Sequence, residues 1–97
     1  MAETVFLDPE TRVVRTASAL SAEVDDELVL MHVDRGVYVG LDDVGCDIWR
    51  RIEHPVSFGA LCAALAGAWR AEPGAIERDT AQLLERLQQE GLVEILT

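Results

Sequence analysis

The sequence predicts an α+β fold, a three-stranded antiparallel sheet followed by a three-helix bundle. Two patterns carry that prediction. Glu27 to Leu41 reads as two apolar, β-branched runs around a glycine-bearing loop. From Asp43 onward, apolar residues recur at helical spacing in successive segments broken by Pro or Gly. At 97 residues the chain has the length of one domain, 1–97. A chain of that size buries roughly 65% of its unfolded surface, enough for a modest core without staples.

At the N-terminal end, "FLDPET" (Phe6–Thr11) reads as a turn, because Pro sets one dihedral while Asp and Thr favour local backbone bonds. The segment before Thr16 otherwise matches no usable pattern, so residues 1–16 are candidates for poor order. "VVRTASALSAEV" offers one short extended run centred near Leu20, closed by a bend at Asp25-Asp26. "ELVLMHV" (Glu27–Val33) is the clearest strand, with Leu28, Leu30 and His32 on one face and Val29, Met31 and Val33 on the other. Asp34–Gly36 is the hairpin loop, with Gly supplying positive φ, and "VYVGL" (Val37–Leu41) is the return strand. In it Val37, Val39 and Leu41 share one face, Tyr38 and Gly40 the other.

Asp42-Asp43 caps the first helix and places an acid in its first turn, where the helix dipole favours negative charge. That helix carries Val44, Ile48, Trp49 and Ile52 and stops at His54-Pro55. Ser57 caps the second, whose stripe is Phe58, Leu61, Cys62, Leu65 and Trp69. Pro73 takes the first position of the third, which runs to Glu90 with Ile76, Thr80, Leu83, Leu84 and Leu87 inward. Gly91 stops it, and "LVEIL" ends as a short strand or extended tail. Strand, hairpin and three consecutive helices make a winged-helix-like arrangement.

Eighteen acids face eight arginines and no lysine, for a net charge of −10. Duplex binding draws on basic residues that release counterions, so nucleic acid is a poor partner and a basic peptide or protein a better one. Acids interrupt every apolar run short of membrane length, and the N-terminus lacks a basic n-region, so a soluble cytoplasmic chain with no membrane partner is expected. Cys46 and Cys62 read as core filler. No nucleophile–base–orienter set is discernible, His32 and His54 lie at no ligand spacing, and no phosphate-binding loop is present. The expectation is a chain with no catalytic residue, no metal and no cofactor.

With the strands ordered in sequence, Val37–Leu41 is a sheet edge that lacks the Lys, Pro, bulge or inward charge that guards natural edges. Such an edge can accept a strand from another chain, its main chain giving affinity and alternate side-chain pockets giving specificity. The third helix flanks it with Asp79, Gln82, Arg86 and Glu90, Leu83 lying at the boundary. A groove between the two would have an apolar floor and charged walls. The same charges could equally form a solvated face held by local pairs.

"VYVGLDDVGCDIW", then "VSFGALCAALAGAW", then "ERDTAQLLERLQQEGLV" resembles the PqqD-like family, small peptide chaperones named for pyrroloquinoline quinone biosynthesis and also called RiPP precursor peptide recognition elements. The marks are Tyr38 and Leu41 at the strand end, Val44, Gly45, Ile48 and Trp49 at the helix start, and Leu87, Gly91 and Leu92 at the close; their order and spacing over Leu20–Val93 carry the likeness. The resemblance implies a winged-helix-like fold in which the leader of a ribosomally made precursor adds as a strand beside Val37–Leu41, against the helix of Pro73–Glu90. It implies no chemistry in this chain, only delivery of the leader to a processing enzyme. The strand-to-helix corner is most similar to stand-alone members of lasso peptide biosynthesis, whose partners are the leader peptidase and the macrocyclase. A chaperone for a quinone-cofactor or other radical-enzyme-modified precursor is the alternative reading.

On that reading the backbone of Val37, Tyr38, Val39, Gly40 and Leu41 binds the leader's main chain. Tyr38 and Leu83 receive its apolar anchors, and Asp79, Gln82 and Arg86 meet its polar groups. If the Val39 N–H faces outward, Val39→Pro removes a docking donor. A winged-helix transcription regulator would need a basic third helix, whereas this one sets Glu77, Asp79, Glu85 and Glu90 against Arg78 and Arg86. A monomer or weak homodimer is expected, the dimer using the same edge.

Overall fold

The computed structural model describes residues 8–72 and 74–96. In chain order its elements are β1 (Arg12–Arg15), β2 (Ala19–Val24), β3 (Glu27–His32), β4 (Val37–Leu41), α1 (Asp43–Arg51), β5 (Val56–Ser57), α2 (Phe58–Ala68), α3 (Ala75–Gln89) and β6 (Val93–Leu96). Among these residues the strands form two three-stranded antiparallel sheets, β2–β3–β4 and β5–β1–β6, so the fold is α+β with one sheet more than expected. The run expected as a single strand near Leu20 is two strands that belong to different sheets. Thr16 ends the first by donating its N–H to Leu92 O at 3.0 Å, and a turn follows before Ala19.

The second sheet closes the chain on itself. Arg12–Arg15 pairs with Leu96–Val93 on one side, while Arg12 and Val13 pair with Ser57 and Val56 on the other. Val13, fully buried, sits in the core with Leu92 and Val93. The "LVEIL" tail is therefore a strand, and residues 12–15, inside the segment without pattern, are its partner. The turn expected at Phe6–Thr11 is present over its described part, where Asp8 Oδ1 accepts from Glu10 N at 2.8 Å and Asp8 O from Thr11 N at 2.9 Å.

One core cluster draws on both sheets and all three helices: Leu30 and Val39 from the hairpin, Ile48 and Trp49 from α1, Leu61 and Leu65 from α2, Leu84 and Leu87 from α3. Local signals set the helix ends. Asp42 Oδ1 accepts from Gly45 N at 2.7 Å, and Ser57 Oγ from Ala60 N at 3.1 Å, each satisfying an orphan donor of a first turn. A Cβ on Gly45 would lie 3.1 Å from that same Asp42 oxygen and 3.2 Å from Leu41, so Gly there lets α1 begin tight against β4.

Two expectations for the helices are corrected. α3 begins at Ala75 behind Gly74, whose φ of +83° makes a left-handed N-cap with no side-chain bond; Pro73 lies outside the described residues. Trp69 does not extend the α2 stripe. It is the extended C-cap, its N–H bonded to Leu65 O at 2.8 Å, and it swings to lie against α1.

Candidate functional site

The hydrogen-bonding direction of β4 follows from the turn before β3. Asp25 and Asp26 have φ of +50° and +68°, and they join Val24 directly to its cross-strand partner Glu27. A two-residue loop with both φ positive is a type I′ turn, which closes on a hydrogen-bonded pair. Antiparallel bonding alternates from there. Glu27, Val29 and Met31 thus direct their backbone groups at β2, whereas Leu28, Leu30 and His32 direct theirs at β4. Their partners Leu41, Val39 and Val37 are consumed in return. The unpaired N–H and C=O groups on the outer edge of β4 belong to Tyr38 and Gly40. The expectation for Val39 is corrected: its N–H serves the hairpin.

Between this edge and α3 runs a cleft of about 530 Å³. Gly40 and Leu41 form its strand wall, and Asp79, Leu83 and Arg86 its helix wall. The floor is apolar: Leu41 and Ile48 are buried, and Val44, Ile76 and Leu83 are half-buried. Beyond Leu41 the cleft continues under the start of α1 to Trp69. The Trp69 indole N–H donates to Asp47 Oδ2 at 2.8 Å, and Arg51 Nε pairs with the other carboxylate oxygen at 2.8 Å, so the ring is held in place as a wall. Burial alone would raise the Asp47 pKa, but those two donors and the nearby Arg50 charge outweigh it and hold the carboxyl below its usual range.

Of the nine residues expected at the site, Gly40, Leu41, Asp79, Leu83 and Arg86 meet in this cleft. Tyr38 does not line it. Tyr38 is 66% exposed, on the face of the sheet opposite the core, so Tyr38 and Leu83 cannot share one anchor pocket. Val37 and Val39 point into the core side, and Gln82 is exposed outside the cleft. Sequence reasoning left Val44, Ile48, Trp69, Ile76 and Thr80 as plain core, yet all five line the cleft. The signal was present for Val44 and Ile48, since a helix capped by the residue after an edge strand must begin at the end of that edge.

A second cleft, about 660 Å³, opens between the β2–β3 hairpin and α1. Glu23, Asp26, Glu27, Asp43 and Asp47 face it against Arg15 and Arg50, beside Leu28, Trp49 and Trp69, so its walls are more charged than those of the first cleft. Cys62 is buried, and burial together with the charge of Glu77 pushes its thiol up to about 11, far from thiolate chemistry at neutral pH. Among the described residues no group of three or more His, Cys, Asp or Glu side chains is placed to hold a metal, and no helix is long and apolar enough to cross a membrane.

Fold and cleft define a small α+β module with an open strand edge facing a helix. The family model described as "Coenzyme PQQ synthesis protein D (PqqD)" matches residues 27–93, and the chain belongs to that family. Among solved structures, it is similar to that titled "TbiB1 in Complex with the TbiA(beta) Leader Peptide", with 32% identity, a TM-score of 0.73, and coverage of 84% of this chain and 94% of that one. It is also similar to "Lasso peptide synthetase B1 complexed with the leader peptide", with 25% identity, a TM-score of 0.71, and coverage of 84% and 96%. No curated protein matches the chain.

Proposed function

We propose that this chain is a non-catalytic recognition element that binds the leader of a ribosomally made precursor peptide and holds it for a processing enzyme of a lasso peptide pathway. The observation that carries the reading is the outward pair of backbone groups on Tyr38 and Gly40 beside an apolar-floored cleft. An extended leader adds to β4 through those groups and sends alternate side chains into the cleft, toward Leu83 and Ile76. Asp79 and Arg86, of opposite charge on the helix wall, meet its polar residues. Gly40 has open space where a Cβ would stand, so the incoming strand meets no obstruction there. Both similar structures were determined with leader peptides bound, which supports the same use here.

A protein partner is supported by the outer face of the sheet. Leu20 and Tyr38 flank Met31 in one cross-strand row and Val24 lies on the same face; Leu20, Val24 and Tyr38 are all more than half exposed. A bound leader would widen that apolar face by one strand, so the leader peptidase, and after it the macrocyclase, can meet a surface made by both chains. Titration of the labelled TbiA(beta) leader, followed by fluorescence anisotropy, tests the peptide reading. Saturable binding is expected, with amide shifts centred on Tyr38, Gly40 and Leu83 in ¹H–¹⁵N spectra. Binding that leaves β4 and α3 unshifted would count decisively against strand addition.

A further inference from the structure

The two walls of the cleft are joined by a side-chain bond at the end away from α1. The last four carbonyls of α3 would have no partner within the helix. Three are met by the chain just beyond it: Arg86 O accepts from Glu90 N at 3.1 Å, Leu87 O from Leu92 N at 2.8 Å and Gln88 O from Gly91 N at 3.0 Å, a Schellman ending with Gly91 at φ +77°. The fourth, Gln89 O, accepts from Arg35 Nη1 at 2.8 Å, and Arg35 belongs to the loop joining β3 to β4. The loop is itself braced, since His32 Nδ1 accepts from Arg35 N at 3.3 Å and His32 O from Gly36 N at 2.9 Å. His32 in turn lies over Gly91: a Cβ there would stand 3.1 Å from the imidazole and 3.3 Å from the Arg35 guanidinium. Gly91 thus does more than stop a helix, because its missing side chain is the space that lets the hairpin tip close on α3. Cation and helix terminus suit each other, the guanidinium sitting at the negative end of the α3 dipole.

We propose that Arg35 is a positioning residue for the cleft: by holding Gln89 O it clasps the hairpin tip to the end of α3 and sets the separation of the strand and helix walls. The inference rests on the peptide reading above, because a fixed separation matters only if something must span both walls. Arg35 stands two positions before β4, and Gln89 three positions after Arg86, the last cleft residue of α3. At the opposite end Asp42 fixes the strand wall to the start of α1, which lines the same cleft. Without the clasp the hairpin tip and α3 can part, the fraction of molecules with a competent cleft falls, and the apparent Kd rises by the same factor.

The test compares wild type, Arg35→Ala and Arg35→Lys, all checked for unchanged thermal unfolding. Backbone amide shifts are recorded without peptide, and Kd is measured with the labelled TbiA(beta) leader. In Arg35→Ala the amides of Leu41, Asp79 and Leu83, remote from the substituted side chain, should shift, and Kd should rise about fivefold, the scale of one lost hydrogen bond. Arg35→Lys, which can still donate to Gln89 O, should restore most of both. Shifts confined to residues 32–37 and 88–92, or a Kd within twofold of wild type, overturn the clasp. If the wild type itself fails to bind the leader, the peptide reading falls while the amide shifts still decide whether Arg35 sets the cleft.

Discussion

The sheet β2–β3–β4 joins neighbours in the chain through loops of two and four residues, whereas β5–β1–β6 draws Arg12–Arg15 against Val56–Ser57 and Val93–Leu96. Each has three strands, but they serve different ends. The second sheet is a fastener. β1 sits between its partners, Arg15 N donates to Ile52 O, Arg15 Nε reaches Trp49 O, and the Arg15 guanidinium stacks 4.7 Å from the Trp49 ring centroid. The first sheet stays open at β4 and keeps an apolar outer face in solvent. Closing long loops costs entropy that the fastener must offset with buried contacts, while local hairpins incur little of that cost and can leave an edge unspent.

Substitutions in the two sheets should therefore act on different properties, binding in the first and stability in the second. The largest effect is expected for Gly40→Pro, which removes an outward donor and sets a ring against the incoming strand. Leader affinity should fall about 100-fold or more with the fold retained, since an edge position tolerates proline. Val39→Pro, one residue away, should instead disrupt the β3–β4 hairpin and lower thermal stability. Equal binding losses without unfolding in both would refute the assigned bonding direction. In the fastener, Val13→Ala should cost about 2 kcal/mol in chemical denaturation yet leave the leader Kd of the folded protein within twofold.

Leu83→Ala, on the helix wall, should reverse that pairing of effects. A half-buried side chain facing the cleft should cost about tenfold in leader affinity by anisotropy and under about 1 kcal/mol in stability. The smallest effect belongs to Asp47. Its carboxyl is depressed in the folded state, so its stabilising contribution is present above the ordinary value of 3.8 and is lost as pH falls through the lower folded value. Asp47→Asn should flatten that part of the stability–pH curve, and the Trp69 emission should respond to acid only in the wild type.

Much of the first sheet and all three helices was legible because their signals are local. Alternation placed Val37, Val39 and Leu41 on one face, and Asp42 and Ser57 announced the helix starts they cap. The cleft was legible in outline, with Gly40, Leu41, Asp79, Leu83 and Arg86 brought together as expected. Tyr38 stands outside the cleft because the alternation that buries Val37 and Val39 turns it to the far face. Trp69 was misread because a helical stripe does not reveal where the helix stops; α2 ends at Ala68 and the indole finds Asp47 instead. Even the bonding direction of β4 lay latent in Asp25-Asp26, since a two-residue loop with both φ positive fixes the parity of everything after it.

By itself the sequence determined the β3–β4 hairpin, the three helices and the Asp42 and Ser57 caps, because propensity, capping and periodicity act over a few residues. Only the tertiary structure decided that Arg12–Arg15 would pair with Val93–Leu96, that Trp69 would wall the cleft, and that Arg35 would cap a helix from another element. Those contacts join residues far apart in the chain, and nothing in either partner's neighbourhood specifies the other. Packing of Leu30, Leu84 and Leu92 into one core brings distant donors and acceptors close together, and there they pair.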